Sequence, residues 1–102
     1  MREARLSLGL PQDKLGVMIG LDEQTASARM SRYENGIHAP AFSTAEKIAS
    51  VLGIPVAYLY CPDDELAKLI LNYSRLSALD QRLISEEITI LNNTKYLKKS
   101  LN

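Results

Sequence analysis

At 102 residues the chain has room for one compact domain, or for one small domain with an appendage. Its 12 basic and 12 acidic residues cancel, and residues 1–62 and 63–102 are each balanced. This weighs against a non-specific polyanion binder but allows a local basic face. One cysteine, Cys61, excludes an internal disulfide and fits a reducing compartment as a small apolar residue. With no secretory leader and no apolar run of membrane-spanning length in view, a cytoplasmic protein without membrane contact is expected.

The periodic segments are all helical, so the fold class is all-α. A short first helix covers Arg2 to Leu8, with Ala4 and Leu8 on one side. Leu10-Pro11-Gln12 opens a second, where a missing proline N–H costs nothing. Its apolar side is Leu15, Met18 and Ile19, and Gly20 ends it in the left-handed conformation that glycine tolerates. Asp22 is an expected N-cap for a third helix running to about Asn35 and stopping at Gly36. Pro40 breaks the path. Ser43-Thr44-Ala45-Glu46 then has capping-box spacing for a fourth helix with a buried stripe of Phe42, Ala45, Ile48, Ala49 and Leu52. Gly53 closes it, and Pro55 opens a short fifth helix through Val56, Tyr58 and Leu59.

Cys61-Pro62-Asp63-Asp64 is the expected boundary between a five-helix domain (1–62) and a two-helix C-terminal extension (63–102). The first helix of the extension runs from about Asp64 to Leu76 with Leu66, Leu69, Ile70 and Tyr73 inward. The second starts at Ser77 and carries Leu79, Leu83, Ile84, Ile88, Ile90 and Leu91. That apolar face is wider than so small a domain can hide alone, which suggests a dimerisation element. The alternative is folding back onto the fourth and fifth helices.

Two short helices joined by a turn at Gly20, the second polar on its outer side, are how a small protein presents a helix to the DNA major groove. On a wheel at 100° per residue, Ala26, Met30 and Tyr33 share one sector, with Ile37 just beyond the helix end. Opposite lie Gln24, Thr25, Ala28, Ser31 and Arg32, with Ser27 and Arg29 on the flanks. Gln and Arg can contact adenine and guanine edges in bidentate fashion, Ser and Thr reach either, and an Ala methyl meets a thymine methyl. These seven are the candidate base contacts, against the plainer reading of a solvated helix face. Gln12 stands at a helix start, where amides can hold a phosphate, and the Asn35-Gly36-Ile37-His38 loop could touch another. Gly16 falls where two helices must cross closely. Arg5 and Glu34 could pair, or Arg5 could be a free surface cation. With one histidine and one cysteine, neither a metal site nor a cofactor is expected, and no catalytic constellation is visible, so an enzyme is not expected. Asp63-Asp64-Glu65 reads as charge favouring a helix N-terminus.

The order Arg5, Gln12-x-x-Leu15-Gly16, Gly20, Met30-Ser31-Arg32-Tyr33-Glu34-Asn35-Gly36, Pro40 and Ala45-x-x-Ile48-Ala49-x-x-Leu52-Gly53 resembles the Cro/CI-type, or XRE-type, helix-turn-helix regulators. The likeness spans roughly residues 1–60. It implies a lambda-repressor-like five-helix DNA-binding domain, a homodimer and a palindromic operator. It also implies a phosphate-contacting Gln12, a phosphate-contacting loop at Asn35, Gly36 and His38, and a structural Arg5–Glu34 pair. Two departures stand out. Gly16 replaces the family's usual alanine. From Gly20 to Glu34 is fourteen positions where about ten is common, a surplus of about one helical turn, or 6 Å. The surplus has no Gly or Pro, so an extra N-terminal turn on the third helix is expected, shifting the base contacts toward Gln24, Thr25, Ala28 and Arg32.

The expected function is a bacterial or phage transcription regulator, a repressor by preference, acting on double-stranded operator DNA at the nucleoid. An antitoxin whose C-terminal helices bind a toxin or antagonist is the second reading. A restriction–modification controller is the third, disfavoured by the forty residues after Pro62.

Overall fold

The computed structural model describes the backbone from Met1 to Leu101 and side chains as far as Thr94. The described residues form helices α1 (Arg2–Ser7), α2 (Gln12–Met18), α3 (Ala26–Glu34), α4 (Phe42–Leu52), α5 (Val56–Tyr60), α6 (Asp64–Ser74) and α7 (Ala78–Leu101), with no strand among them. Packing divides the chain into two compact units, Met1–Leu71 and Asn72–Asn102. The division falls within α6 because Ala67 is buried with the first unit.

The first unit closes around Leu15, Met30 and Ile48, the largest side chains fully removed from water. Each contributes about 1.5–3 kcal/mol of transfer free energy. Ala4, Ile19 and Leu52 complete the core, with Tyr33, Tyr58 and Leu59 packed against it. One residue per helix turn faces this centre on α2, α3 and α4, as the apolar spacing demands. Several expected core residues lie outside it: Leu8, Met18, Ile37, Leu66, Leu69 and Phe42 are exposed. Phe42 instead lies against Tyr60, the two rings near parallel with centroids 6.3 Å apart. Ser43 does not cap α4, whose N-cap is Ala41 without any side-chain hydrogen bond.

Gly20 ends α2 with φ +95°, and the two hydrogen bonds from Gly20 N–H to Val17 O and Leu21 N–H to Gly16 O form a Schellman cap. Gly36 does the same for α3, with Ile37 N–H on Arg32 O. This explains Ile37: its backbone, not its side chain, is what closes the helix.

The elongated third helix is corrected here. α3 begins at Ala26, and Glu23 to Thr25 form a turn rather than a helical one. Asp22 is the cause. Its Oδ1 accepts the Gln24 N–H at 3.0 Å, and its carbonyl accepts the Thr25 N–H, also at 3.0 Å. A short acidic side chain bonding its own backbone two residues on competes with the helical ladder, and here it closes a tight turn. Thr25 then becomes the N-cap residue, its carbonyl accepting from Arg29 N–H. The surplus residues therefore lie before the helix, and the helical wheel does not apply to Gln24 and Thr25.

In the second unit Ser77 caps α7, its Oγ accepting the Asp80 N–H at 3.1 Å, and Gln81 Nε2 donates to Tyr73 O at 3.0 Å. No described side chain from Asn72 to Thr94 is buried.

Candidate nucleic-acid interface

The relation of α2 to α3 defines the site. Gly16 lies against Ala26, and a Cβ built on Gly16 would stand 2.6 Å from the Ala26 Cβ and 3.1 Å from its Cα. Contact this close leaves no room for the family's alanine unless α3 moves away. The fully buried Ala26 and Met30 fix the inner side of α3. Ala28 and Arg32 consequently face water, with Ser27 and Arg29 exposed beside them.

The far end of α3 is clamped by charge. Arg5 Nε donates to Glu34 Oε1 at 2.6 Å, Arg5 Nη2 reaches Oε2 at 3.4 Å, and Nη1 donates to Leu10 O at 2.8 Å. The two side chains are only 8% and 2% exposed, so this is a buried pair, and none of its buried nitrogen or oxygen atoms lacks a partner. Burial pushes the Glu34 carboxyl up. The hydrogen bonds from Arg5 and Gln12, with the charges of Arg5 and Arg2, outweigh it and hold Glu34 below the ordinary glutamate range. Gln12 extends the clamp: its Nε2 donates to Glu34 Oε2 at 2.6 Å, while its Oε1 accepts from Ser27 Oγ at 3.3 Å. A continuous chain of polar contacts, Arg5 to Glu34 to Gln12 to Ser27, thus ties α1, α2 and both ends of α3. The Gln12 amide keeps one N–H beyond those it uses here.

A polar cleft lies on each flank of α3. One, on the α2 side, includes Arg2, Gln12, Ser27, Ser31 and Asn35 in its walls. The other, about 240 Å³, is lined by Arg29, Arg32, Tyr33, His38 and Ala39. Between them the outer face of α3 carries no carboxylate: Ala28, Ser31 and Arg32 stand there, and Glu34 is turned into the clamp. Asn35 Nδ2 donates to Ser31 Oγ at 3.2 Å.

The structure therefore gathers Ser27, Ala28, Ser31 and Arg32 on one helix and brings Gln12 beside Ser27. Arg29 points with His38 into the flanking cleft. Gln24 and Thr25 sit apart on the preceding turn, and Gly36 serves the α3 cap. Sequence reasoning missed the bonds of Gln12 to Ser27 and to Glu34, and the cleft that Arg29 and His38 line together. The Ser31–Asn35 contact was legible, since residues four apart are neighbours on a helix. Among the described residues no group of three or more His, Cys, Asp or Glu could hold a metal ion. No described helix is long and apolar enough to cross a membrane.

A helix held on its inner side by a core and at its end by a buried ion pair, with a carboxylate-free polar face outward, defines a helix-turn-helix module. The family model described as helix-turn-helix matches residues 1–59, and the chain belongs to that family, in its XRE-type branch of DNA-binding regulators. Among solved structures it is similar to the transcriptional regulator BswR, with 45% identity over 86% of this chain and 87% of that one, and a TM-score of 0.81. Comparison with curated proteins gives no match.

Proposed function

We propose that the protein is a sequence-specific transcription regulator, a repressor, that binds a palindromic operator as a homodimer paired through residues 63–102. The observation that carries this is the outer face of α3, free of carboxylates and rigidly presented by the Arg5–Glu34–Gln12 clamp. Arg32 and Ala28 read base edges in the major groove, with Ser27 and Ser31 beside them. Gln24 and Thr25 approach from the preceding turn. Arg29 and His38 grip a phosphate from their shared cleft, and Gln12 and Asn35 hold the backbone on the opposite flank. The protein works by binding, in the cytoplasm, on nucleoid DNA.

The similarity to a transcriptional regulator over nearly the whole chain favours this over a module devoted to a toxin or antagonist. Arg32→Ala tests it. Losing a bidentate base contact costs about 1–3 kcal/mol on the operator, or roughly 5- to 150-fold, with far less lost on random-sequence DNA. Fluorescence anisotropy at one fixed salt concentration measures both. Equal losses on the two DNAs would make Arg32 a phosphate contact.

A further inference from the structure

We infer that the protein binds DNA more tightly at lower pH, because the phosphate held by Arg29 and His38 draws a proton onto the His38 imidazole. This rests on the DNA-binding reading above and adds its regulation.

His38 is the only histidine of the chain. The cap of α3 decides where it stands. Gly36, at φ +73°, turns the chain back, and the N–H groups of Ile37 and His38 both reach Arg32 O, at 3.0 and 3.4 Å. The loop is thereby laid along the last turn of α3. His38 joins Arg29, Arg32, Tyr33 and Ala39 in the walls of the cleft of about 240 Å³. Arg29, Arg32 and His38 are all exposed, so an incoming ligand can reach them. No carboxylate lines that cleft, and Glu34, the acid nearest to His38 in sequence, is taken up by Arg5 and Gln12. Two guanidiniums and an imidazole around an acid-free cleft call for an anion. For a chain that binds DNA, that anion is a backbone phosphate.

The three basic groups differ in one respect. A guanidinium stays charged throughout, so Arg29 and Arg32 attract phosphate at any pH. An imidazole is charged in acid and neutral in base, and it ordinarily changes between about pH 5 and 8. A phosphate oxygen beside it stabilises the charged form, so the DNA-bound chain holds more protons than the free chain. Affinity is therefore full below the pH range where the free imidazole titrates. It is lost as pH rises through the higher range of the bound one. On its other side His38 lines a second cavity, of about 210 Å³, with residues of α3, α4 and α5. The titratable residues there are Tyr33, Tyr60 and Met1, whose amino group burial holds below its ordinary value. That amine is the rival source of a proton-linked effect, and substitution of His38 tells the two apart.

The test measures affinity of the full chain by fluorescence anisotropy at about pH 6, 7 and 8, at one fixed ionic strength because salt alone weakens phosphate contacts. The probes are a labelled duplex of random sequence and the genomic fragment that the protein selects. From acid to base, affinity should fall about five- to tenfold per bound chain on both duplexes, since a phosphate contact carries no sequence information. His38→Gln should remove that dependence. His38→Lys should remove it too, while binding more tightly than His38→Gln at the basic end. By NMR the His38 ring should titrate at higher pH in the complex than in the free chain. No binding to either duplex at any pH overturns the DNA-binding reading itself. Binding that is independent of pH in the parent, a dependence that survives in His38→Gln, or a ring that titrates alike free and bound overturns proton uptake at His38 and spares that reading.

Discussion

Residues 1–71 close a core of their own around Leu15, Met30 and Ile48, whereas from Asn72 to Thr94 every described side chain keeps contact with water. Both regions are amphipathic in sequence; glycine caps end α2 and α3 in the first, and Ser77 caps the start of α7 in the second. The difference lies in where the apolar stripes are answered. In the first unit Leu15 and Ile19, Met30 of α3, and Ile48 and Leu52 of α4 meet in one closed core, and the polar face of α3 is free to work. In the second the described apolar residues Leu79, Leu83, Ile84, Ile88, Ile90 and Leu91 all stay exposed. One region specifies its own interior; the other leaves its described apolar side chains open to water.

Five substitutions sharpen that contrast. The largest effect is expected from Arg5→Ala, which strands Glu34 as a buried unpaired charge and should cost about 3–5 kcal/mol in urea unfolding. The same pair sets an acid limit. Because the folded Glu34 lies below its unfolded range, its contribution is full above that range and is lost as pH falls through the folded value. The parent should therefore lose stability more steeply in acid than Glu34→Gln, and equal slopes would detach Glu34 from acid sensitivity.

Next comes Ile48→Ala, expected to cost about 2–5 kcal/mol by opening a cavity in a closed core. At concentrations below dimerisation, Leu79→Ala should move the same unfolding curve by no more than about 0.5 kcal/mol. Similar losses at the two positions would erase the distinction between the regions. Gly16→Ala is the smallest. Alanine gains about 1 kcal/mol in helix propensity, but the contact with Ala26 is largely backbone and cannot rotate aside. Overpacking at about 1–3 kcal/mol should leave a net loss and tilt α3. A more stable Gly16→Ala variant with unchanged DNA affinity would show that α3 has room to move.

Much of this architecture was legible beforehand. The helices, Leu15 and Ile19 (though not Met18) in the core, the Ala45, Ile48, Ala49 and Leu52 stripe of α4, the glycine caps and the Ser77 start of α7 follow from periodicity and turn chemistry. The start of α3 was not. Gln24 and Ala26 are good helix formers, and propensity alone extends the helix back to Asp22; the Asp22 side chain bonding the Gln24 amide decides otherwise. Phe42 was read as core from its place on the stripe, but at the first residue of α4 that stripe meets only Tyr60. At the site, residue types were legible and partnerships were not, because Gln12 meets Ser27 and Glu34 only once α2 and α3 have crossed at Gly16.

The measurement that bears most directly on the division of labour between the two regions is selection of bound genomic fragments by the full chain and by its Ile90→Glu variant. The full chain should enrich an inverted repeat whose half-sites lie about 10–10.5 base pairs apart, or a multiple of that, centre to centre. The variant should retain the half-site sequence while losing the repeat and most of the affinity. A site without symmetry, recovered equally by both proteins, would contradict it.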